Sequence, residues 1–152
     1  MVPIVTIDGP SGSGKGTIAK ALALKLNWNY LDSGLLYRCF AFLHNQDIEN
    51  ISDGFSRIEH TYDSASENIV FDGKDITSAI RGKELTILSS QLSQKSEVRE
   101  QLMQIQKQYR KMPGLVAEGR DMSSKLFPDS KVKIYLTADL SERVNRRANQ
   151  LR

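Results

Sequence analysis

The feature that most constrains this chain is a run near its start, Ile4-Val5-Thr6-Ile7-Asp8-Gly9-Pro10-Ser11-Gly12-Ser13-Gly14-Lys15-Gly16-Thr17. A β-rich apolar stretch breaks into a glycine-rich turn, a lysine follows, and helix-forming residues begin. Backbone N–H groups converge on an anion only where the chain can turn through positive φ and a ligand can approach closely. Both demands select glycine. A helix N-terminus adds further donors and a favourable dipole. Gly9 and Gly14, with Lys15 adjacent, give the G-x-x-x-x-G-K spacing of a strand–loop–helix unit that binds phosphates. A structural turn that happens to carry a lysine is the bland alternative, and it leaves the matching strand and helix unexplained. The common pattern continues with Ser or Thr. Here Gly16 takes that place and the hydroxyl comes one residue later, at Thr17.

Such a P-loop implies an α/β protein with a parallel sheet. At 152 residues the chain suits a single domain able to bury a core. A net charge of +3 fits small polyanionic ligands and gives no reason to expect nucleic-acid wrapping. The single cysteine, Cys39, excludes an intramolecular disulfide and fits a reducing compartment. No apolar run approaches the ~18 residues that span a bilayer, and Asp8–Gly9 interrupts the start too soon for a secretory segment. The expected class is a cytoplasmic, monomeric enzyme with small-molecule partners and neither nucleic acid nor membrane.

Along the chain, Ile4–Ile7 reads as a strand buried on both faces. Ile18, Leu22 and Leu26 recur at helical spacing and are expected to pack the first helix on the sheet. Asn27–Leu31 reads as a turn and second strand, Asp32-Ser33-Gly34 as a loop, and Leu36, Phe40 and Leu43 as one face of a helix. From Asp47 to about Gly82 the composition turns polar and irregular, apart from a hairpin over Asn68–Ile76 turning at Asp72-Gly73. Helices are expected over Lys83–Leu92 and Ser96–Lys111, the second capped by Ser96 and striped by Val98, Leu102, Ile105 and Tyr109. Pro113-Gly114 ends it. Leu115–Ala117 and Val132–Leu136 read as strands. Asp139-Leu140-Ser141-Glu142 has capping-box spacing for a last helix bearing Arg143, Arg146 and Arg147. The expected organisation is one P-loop domain over 1–152, with a core of about 1–46 and 112–152 and a small inserted subdomain of about 47–111.

Ligands of open α/β sheets sit beyond the carboxyl ends of the strands. Three polar clusters fall there: the P-loop, Asp32-Ser33-Gly34 with Arg38, and Glu118-Gly119-Arg120-Asp121. Lysine and arginines around one cleft are what phosphoryl transfer requires, since catalysis there is mostly positioning and charge stabilisation. Each has a plainer reading. Arg38 can be a solvated helix residue, Arg120 and Asp121 can pair with each other, and Arg143 and Arg147 can share an exposed helix face. Either Glu118 or Asp121 can be the acidic residue that holds magnesium, directly or through water. His44 and His60 lack metal-ligand spacing and read as ordinary histidines. Cys39 reads as core.

Ile7–Thr17 resembles the start of bacterial cytidylate kinases, and its Gly-Lys-Gly-Thr ending is also seen in adenylate kinases. Leu31-Asp32-Ser33-Gly34 with Tyr37-Arg38, then Glu118-Gly119-Arg120-Asp121-Met122 and Phe127-Pro128-Asp129, are similar to further cytidylate kinase motifs in the same order. Ile80-Arg81, Ser90-Gln91 and Val98-Arg99 fit too. The resemblance covers essentially the whole chain. It implies a three-layer α/β/α P-loop fold with a small inserted nucleoside-monophosphate-binding subdomain, and an ATP-dependent (d)CMP kinase of pyrimidine metabolism. It assigns Ser33, Arg38, Ser90, Arg99, Arg120 and Asp121 to CMP. ATP falls to Gly9, Pro10, Ser11, Gly12, Ser13, Gly14, Lys15, Gly16 and Thr17, with Arg143 and Arg147. Lys15, Arg38, Arg120 and Arg147 are the expected catalytic residues. Mg²⁺ is held mostly by nucleotide and water, with Thr17 its one protein ligand. Hydrogen bonding supports a cytosine reader, because cytosine offers an amino donor where uracil offers an acceptor. A carboxylate such as Asp121 favours the former, and Arg99 can donate to the ring acceptors.

Two departures stand out. Family members have Gly-Thr after Arg-Asp-Met, where this chain has Ser123-Ser124, followed by Lys125-Leu126. They also continue through an arginine-rich lid that excludes water and a last strand that helps hold adenine. The expectation for 152 residues is that lid and last strand are missing. A truncated, non-catalytic nucleotide-binding module and a P-loop kinase for another small substrate stay open as alternatives.

Overall fold

The computed structural model describes residues 1–138 and 140–151, without the side chains of Leu140 and Arg143. In chain order the elements are β1 (Ile4–Asp8), α1 (Lys15–Leu26), β2 (Asn29–Asp32), α2 (Ser33–Asn45), α3 (Ile51–Ser56), β3 (Ile58–Tyr62), β4 (Glu67–Phe71), β5 (Lys74–Asp75), α4 (Thr77–Arg81), α5 (Lys83–Leu92), α6 (Ser96–Lys107), β6 (Leu115–Gly119), a π-helical turn (Met122–Leu126), β7 (Val132–Tyr135) and α7 (Leu140–Gln150). They fall into two compact units, Met1–Ser33 with Met103–Arg152, and Gly34–Leu102. The expected Asp139 cap of α7 lies outside the described residues.

The first unit is α/β with a parallel sheet, as expected, in the order β2-β6-β1-β7. Every residue of β1 and β6 is buried, which is why both read as unbroken apolar runs rather than as alternation. The chain leaves β1 through α1 to reach β2 on the far side of β6, whereas β7 joins β1 on its other edge. The carboxyl end of β1 is therefore a switch point, where a ligand crevice forms.

The buried face of α1 differs from the expected one. Ala19 and Ala23 are 0% and 1% exposed, whereas Ile18 and Leu26 are 45% and 40% exposed. Leu22 packs only partly against the core of Val5, Ile7, Ala19, Ala23 and Val116. The helix is apolar around much of its circumference, so spacing alone does not choose a face. Close approach to a sheet favours methyl-sized side chains at the contact. After α1, Trp28 packs on the strand entry. A Cβ at Gly114 would lie 2.4 Å from the Trp28 ring, so only glycine permits this approach. The Asn29 amide donates to the carbonyls of Lys111 (2.8 Å) and Gly114 (3.1 Å), tying the start of β2 to the start of β6.

In the second unit, α2 buries Leu36, Cys39, Phe40 and Leu43, as the pattern predicts. The 47–82 stretch is more regular than expected. Asn50 accepts from the Asp53 N–H at 3.0 Å and starts α3, and β3 completes an antiparallel sheet in the order β3-β4-β5. Half-burial and polar side chains hid β3 in the sequence. The hairpin turns at Asp72-Gly73 with φ of 49° and 80°, the signature of a type I′ turn. On β4, Glu67 accepts from Arg81 at 2.6 and 2.9 Å and pairs with His60 at 3.1 Å. The His60 hydrogen bond, then Arg81, holds its carboxyl well below the usual carboxylate range. His60 is thus a satisfied structural histidine. α5 spans the expected residues. α6 ends at Lys107 rather than Lys111, with Val98, Leu102 and Ile105 buried and Tyr109 past its end.

Candidate active site

The P-loop takes its shape from two glycines and one close approach. Gly12 and Gly14 have φ of 78° and 93°, a region costly for side-chain-bearing residues. A Cβ at Gly9 would stand 2.2 Å from the Leu136 carbonyl, where β7 runs out beside the loop. Gly14 caps α1 without a side-chain hydrogen bond, and no acidic residue occupies the first turn. That helix end keeps its positive character. Ser13 Oγ is buried and has no hydrogen-bond partner among the described residues, and a phosphate oxygen would satisfy it. Lys15 Nζ donates back across the loop to the Pro10 carbonyl at 3.3 Å.

Strand register assembles the electrostatics around Lys15. Asp32 and Glu118 are direct partners in the β2–β6 pairing. Glu118 is 4% exposed, accepts from the Tyr30 hydroxyl at 3.3 Å, and lies 3.5 Å from where a Cβ at Gly16 would be. Burial, reinforced by the charge of Asp32 and a hydrogen bond with it, pushes the Glu118 carboxyl well above the usual range. Asp32 beside it and the buried setting thus favour the protonated form of Glu118. Burial lowers the pKa of Lys15, Arg120 and Arg147 lower it further, and Glu118 and Asp32 oppose them. Lys15, Arg120 and Arg147 thus belong to one electrostatic neighbourhood.

Beyond β6 the chain turns at Asp121, in the left-handed region at φ 60°, and enters the π-helical turn. Asp8 closes this loop onto β1: its carboxylate accepts from the Met122 N–H at 2.7 Å and the Ser123 N–H at 3.0 Å. Asp8, Gly9, Pro10, Arg120, Asp121, Ser123, Ser124 and Tyr135 line a cleft of ≈ 480 Å³, a size typical of small-ligand sites. Arg120 and Asp121 are exposed, and Asp121 pairs with Lys125 at 3.8 Å. Ser33 is buried against Gly119, where an added Cβ would come within 2.7 Å of the serine Cβ. From α7, Arg146 pairs with Glu142 and donates to the Gly12 carbonyl at 3.2 Å. Arg147 is half-buried and donates to Gln150 at 3.0 Å. The Arg143 side chain lies outside the described residues. Thr17 is exposed. Among the described residues no three His, Cys, Asp or Glu side chains group as metal ligands, and no helix is long and apolar enough to cross a membrane.

The remaining expected site residues lie in the second unit. Arg38 is half-buried, with Nε donating to Thr86 Oγ1 at 3.4 Å. Ser90 and Arg99 are exposed, and Arg99 donates to the Ser93 carbonyl at 3.0 Å.

A family model described as cytidylate kinase matches residues 5–152. The chain belongs to the cytidylate kinase family. The cytidylate kinase of Stutzerimonas stutzeri (strain A1501) is 47% identical over 161 aligned positions, covering 99% of this chain and 70% of that protein. That of Azotobacter vinelandii (strain DJ / ATCC BAA-1303) is 43% identical over 159 positions, covering 98% and 69% respectively.

Two residues placed beside the loop carry no distinguishing signal in the sequence. Asp8 was legible only as a polar residue ending a buried strand, and its partners lie 114 and 115 positions away. Arg146 shares α7 with Arg143 and Arg147, and nothing in the spacing says which arginine reaches Gly12.

Proposed function

We propose that this chain transfers the γ-phosphoryl group of ATP to CMP or dCMP, giving ADP and the nucleoside diphosphate. What carries the reading is the joining of family membership to a P-loop whose Lys15 shares its neighbourhood with Arg120 and Arg147. An oxygen of the acceptor's phosphate attacks the γ-phosphorus in line. The P–O bond to it forms as the bond to the β–γ bridging oxygen breaks, and ADP carries that electron pair away. The attacking phosphate is already anionic, so no general base is assigned.

Lys15 and the uncapped N–H groups of α1 hold the donor's phosphates, with Ser13 Oγ as a further donor. Arg120 and Arg147 take up charge as the phosphoryl group moves. Arg38 and Arg120 bind the acceptor phosphate through charge-assisted hydrogen bonds. Asp121 accepts the cytosine amino group, Arg99 donates to the ring, and Ser33 and Ser90 complete the acceptor set. Thr17, exposed at the first turn of α1, is the residue that would offer a hydroxyl to magnesium, and the ion would supply charge neutralisation at the donor's phosphates. Arg143 and Arg147 are assigned to the donor nucleotide. Small nucleotides are the proposed partners, and a monomer in the cytoplasm the proposed setting.

Steady-state ADP release with CMP, dCMP, UMP and AMP as acceptors tests this. Turnover with CMP or dCMP at least about tenfold above UMP is expected, since facing the Asp121 carboxylate with an acceptor instead of a donor loses a charge-assisted hydrogen bond. Equal use of UMP, transfer to AMP alone, or CMP binding without transfer would overturn the reading.

A further inference from the structure

Asp121 bears the proposed cytosine acceptor and sits in the left-handed region at φ 60°, a conformation that aspartate tolerates better than most side-chain-bearing residues. It precedes a helical turn whose first N–H groups need partners, and its own side chain makes no capping bond there. The partner comes from another strand. Asp8, 7% exposed at the end of β1, accepts from both Met122 N–H and Ser123 N–H. The backbone on the other side of Asp121 is also tied to β1: Asp8 faces Gly119 in the β1–β6 register, and the Gly9 N–H donates to the Gly119 carbonyl at 3.3 Å. Arg120 and Asp121 are exposed and gain little orientation from packing. We infer that Asp8 is a positioning residue for nucleobase choice. One carboxylate on the strand that carries the phosphate loop sets the direction of the Arg120–Asp121 pair.

This rests on the reading of Asp121 as cytosine acceptor, and the test separates the two. In the full chain, Asp8→Asn keeps the size but presents an amide N–H to one of the two donors. CMP affinity is expected to fall about tenfold and the CMP-over-UMP preference to drop toward one, while the ATP dissociation constant changes less than about threefold. Retained preference, or equal weakening of CMP, UMP and ATP, makes Asp8 a general support of the loop and overturns the inference. A wild-type chain that binds CMP and UMP alike refutes the Asp121 reading, and the role of Asp8 in discrimination with it.

Amide hydrogen exchange reads the clamp without nucleotide. Met122 and Ser123 are expected to be protected in the wild type and to exchange at least about tenfold faster in Asp8→Asn. Exchange at the unstructured-chain rate in the wild type would refute the clamp itself, and that measurement decides if Asp8→Asn does not fold.

Discussion

Replacing Lys15 with Met keeps the stem and removes the charge. Lys15 is partly buried, and its ammonium is disfavoured first by that burial and also by Arg120 and Arg147, against the opposing charges of Glu118 and Asp32. On the proposed function, a further stabilising partner of that cation is a phosphate of the donor. Unit charges about 4 Å apart at an effective dielectric of about 20 attract by about 4 kcal/mol. If that attraction is realised in the transition state, its loss lowers kcat/KM by about three orders of magnitude. Stability should respond differently. Removing a desolvated charge leaves the melting temperature within about 3 °C of wild type. Coupled ADP release under saturating ATP gives the first quantity and calorimetric melting gives the second. Activity within about tenfold of wild type would refute the role of Lys15. Lost activity with a melting temperature depressed by ten degrees or more, on the order of several kcal/mol, would make Lys15 a structural residue instead.

Gly114→Ala places a methyl 2.4 Å from the Trp28 ring. Overpacking of this kind costs about 1–3 kcal/mol, so thermal melting should fall by several degrees, and an unchanged melt would contradict the packing. Glu118→Gln tests the raised Glu118 pKa. The folded state raises the Glu118 pKa above the ordinary 4.5, so the native chain binds more protons than the unfolded one. Wild-type stability therefore falls as pH rises from that ordinary value through the raised one, by up to about 1.4 kcal/mol per pH unit. Below the ordinary value both states are protonated and the effect vanishes. The variant stays neutral throughout, so urea titrations run upward from the ordinary carboxylate value should give it a flatter profile, with its advantage growing as pH rises. Parallel profiles would show that Glu118 ionises normally.

Much of this protein was determined by local sequence. The Gly9–Lys15 spacing forces a loop that turns through positive φ, and Asp72-Gly73 specifies a type I′ hairpin because both residues tolerate that geometry. Unbroken apolar runs at β1 and β6 announce strands buried on both faces. These signals depend on neighbours a few residues away, so a single sequence carries them. The tertiary structure decided what depends on distant partners. It chose Ala19 and Ala23 over Ile18 and Leu26 as the buried face of α1, because a helix close on a sheet has room for methyls and not for longer chains. It formed β3 from half-polar residues that have no strand identity until β4 pairs with them. At the site, parallel register set Asp32 beside Glu118 and so helps raise the Glu118 pKa, which neither residue announces alone. Asp8 shows the limit most clearly: its residue type was visible in the sequence, but its two N–H partners are brought within hydrogen-bond reach only by folding the chain across the sheet.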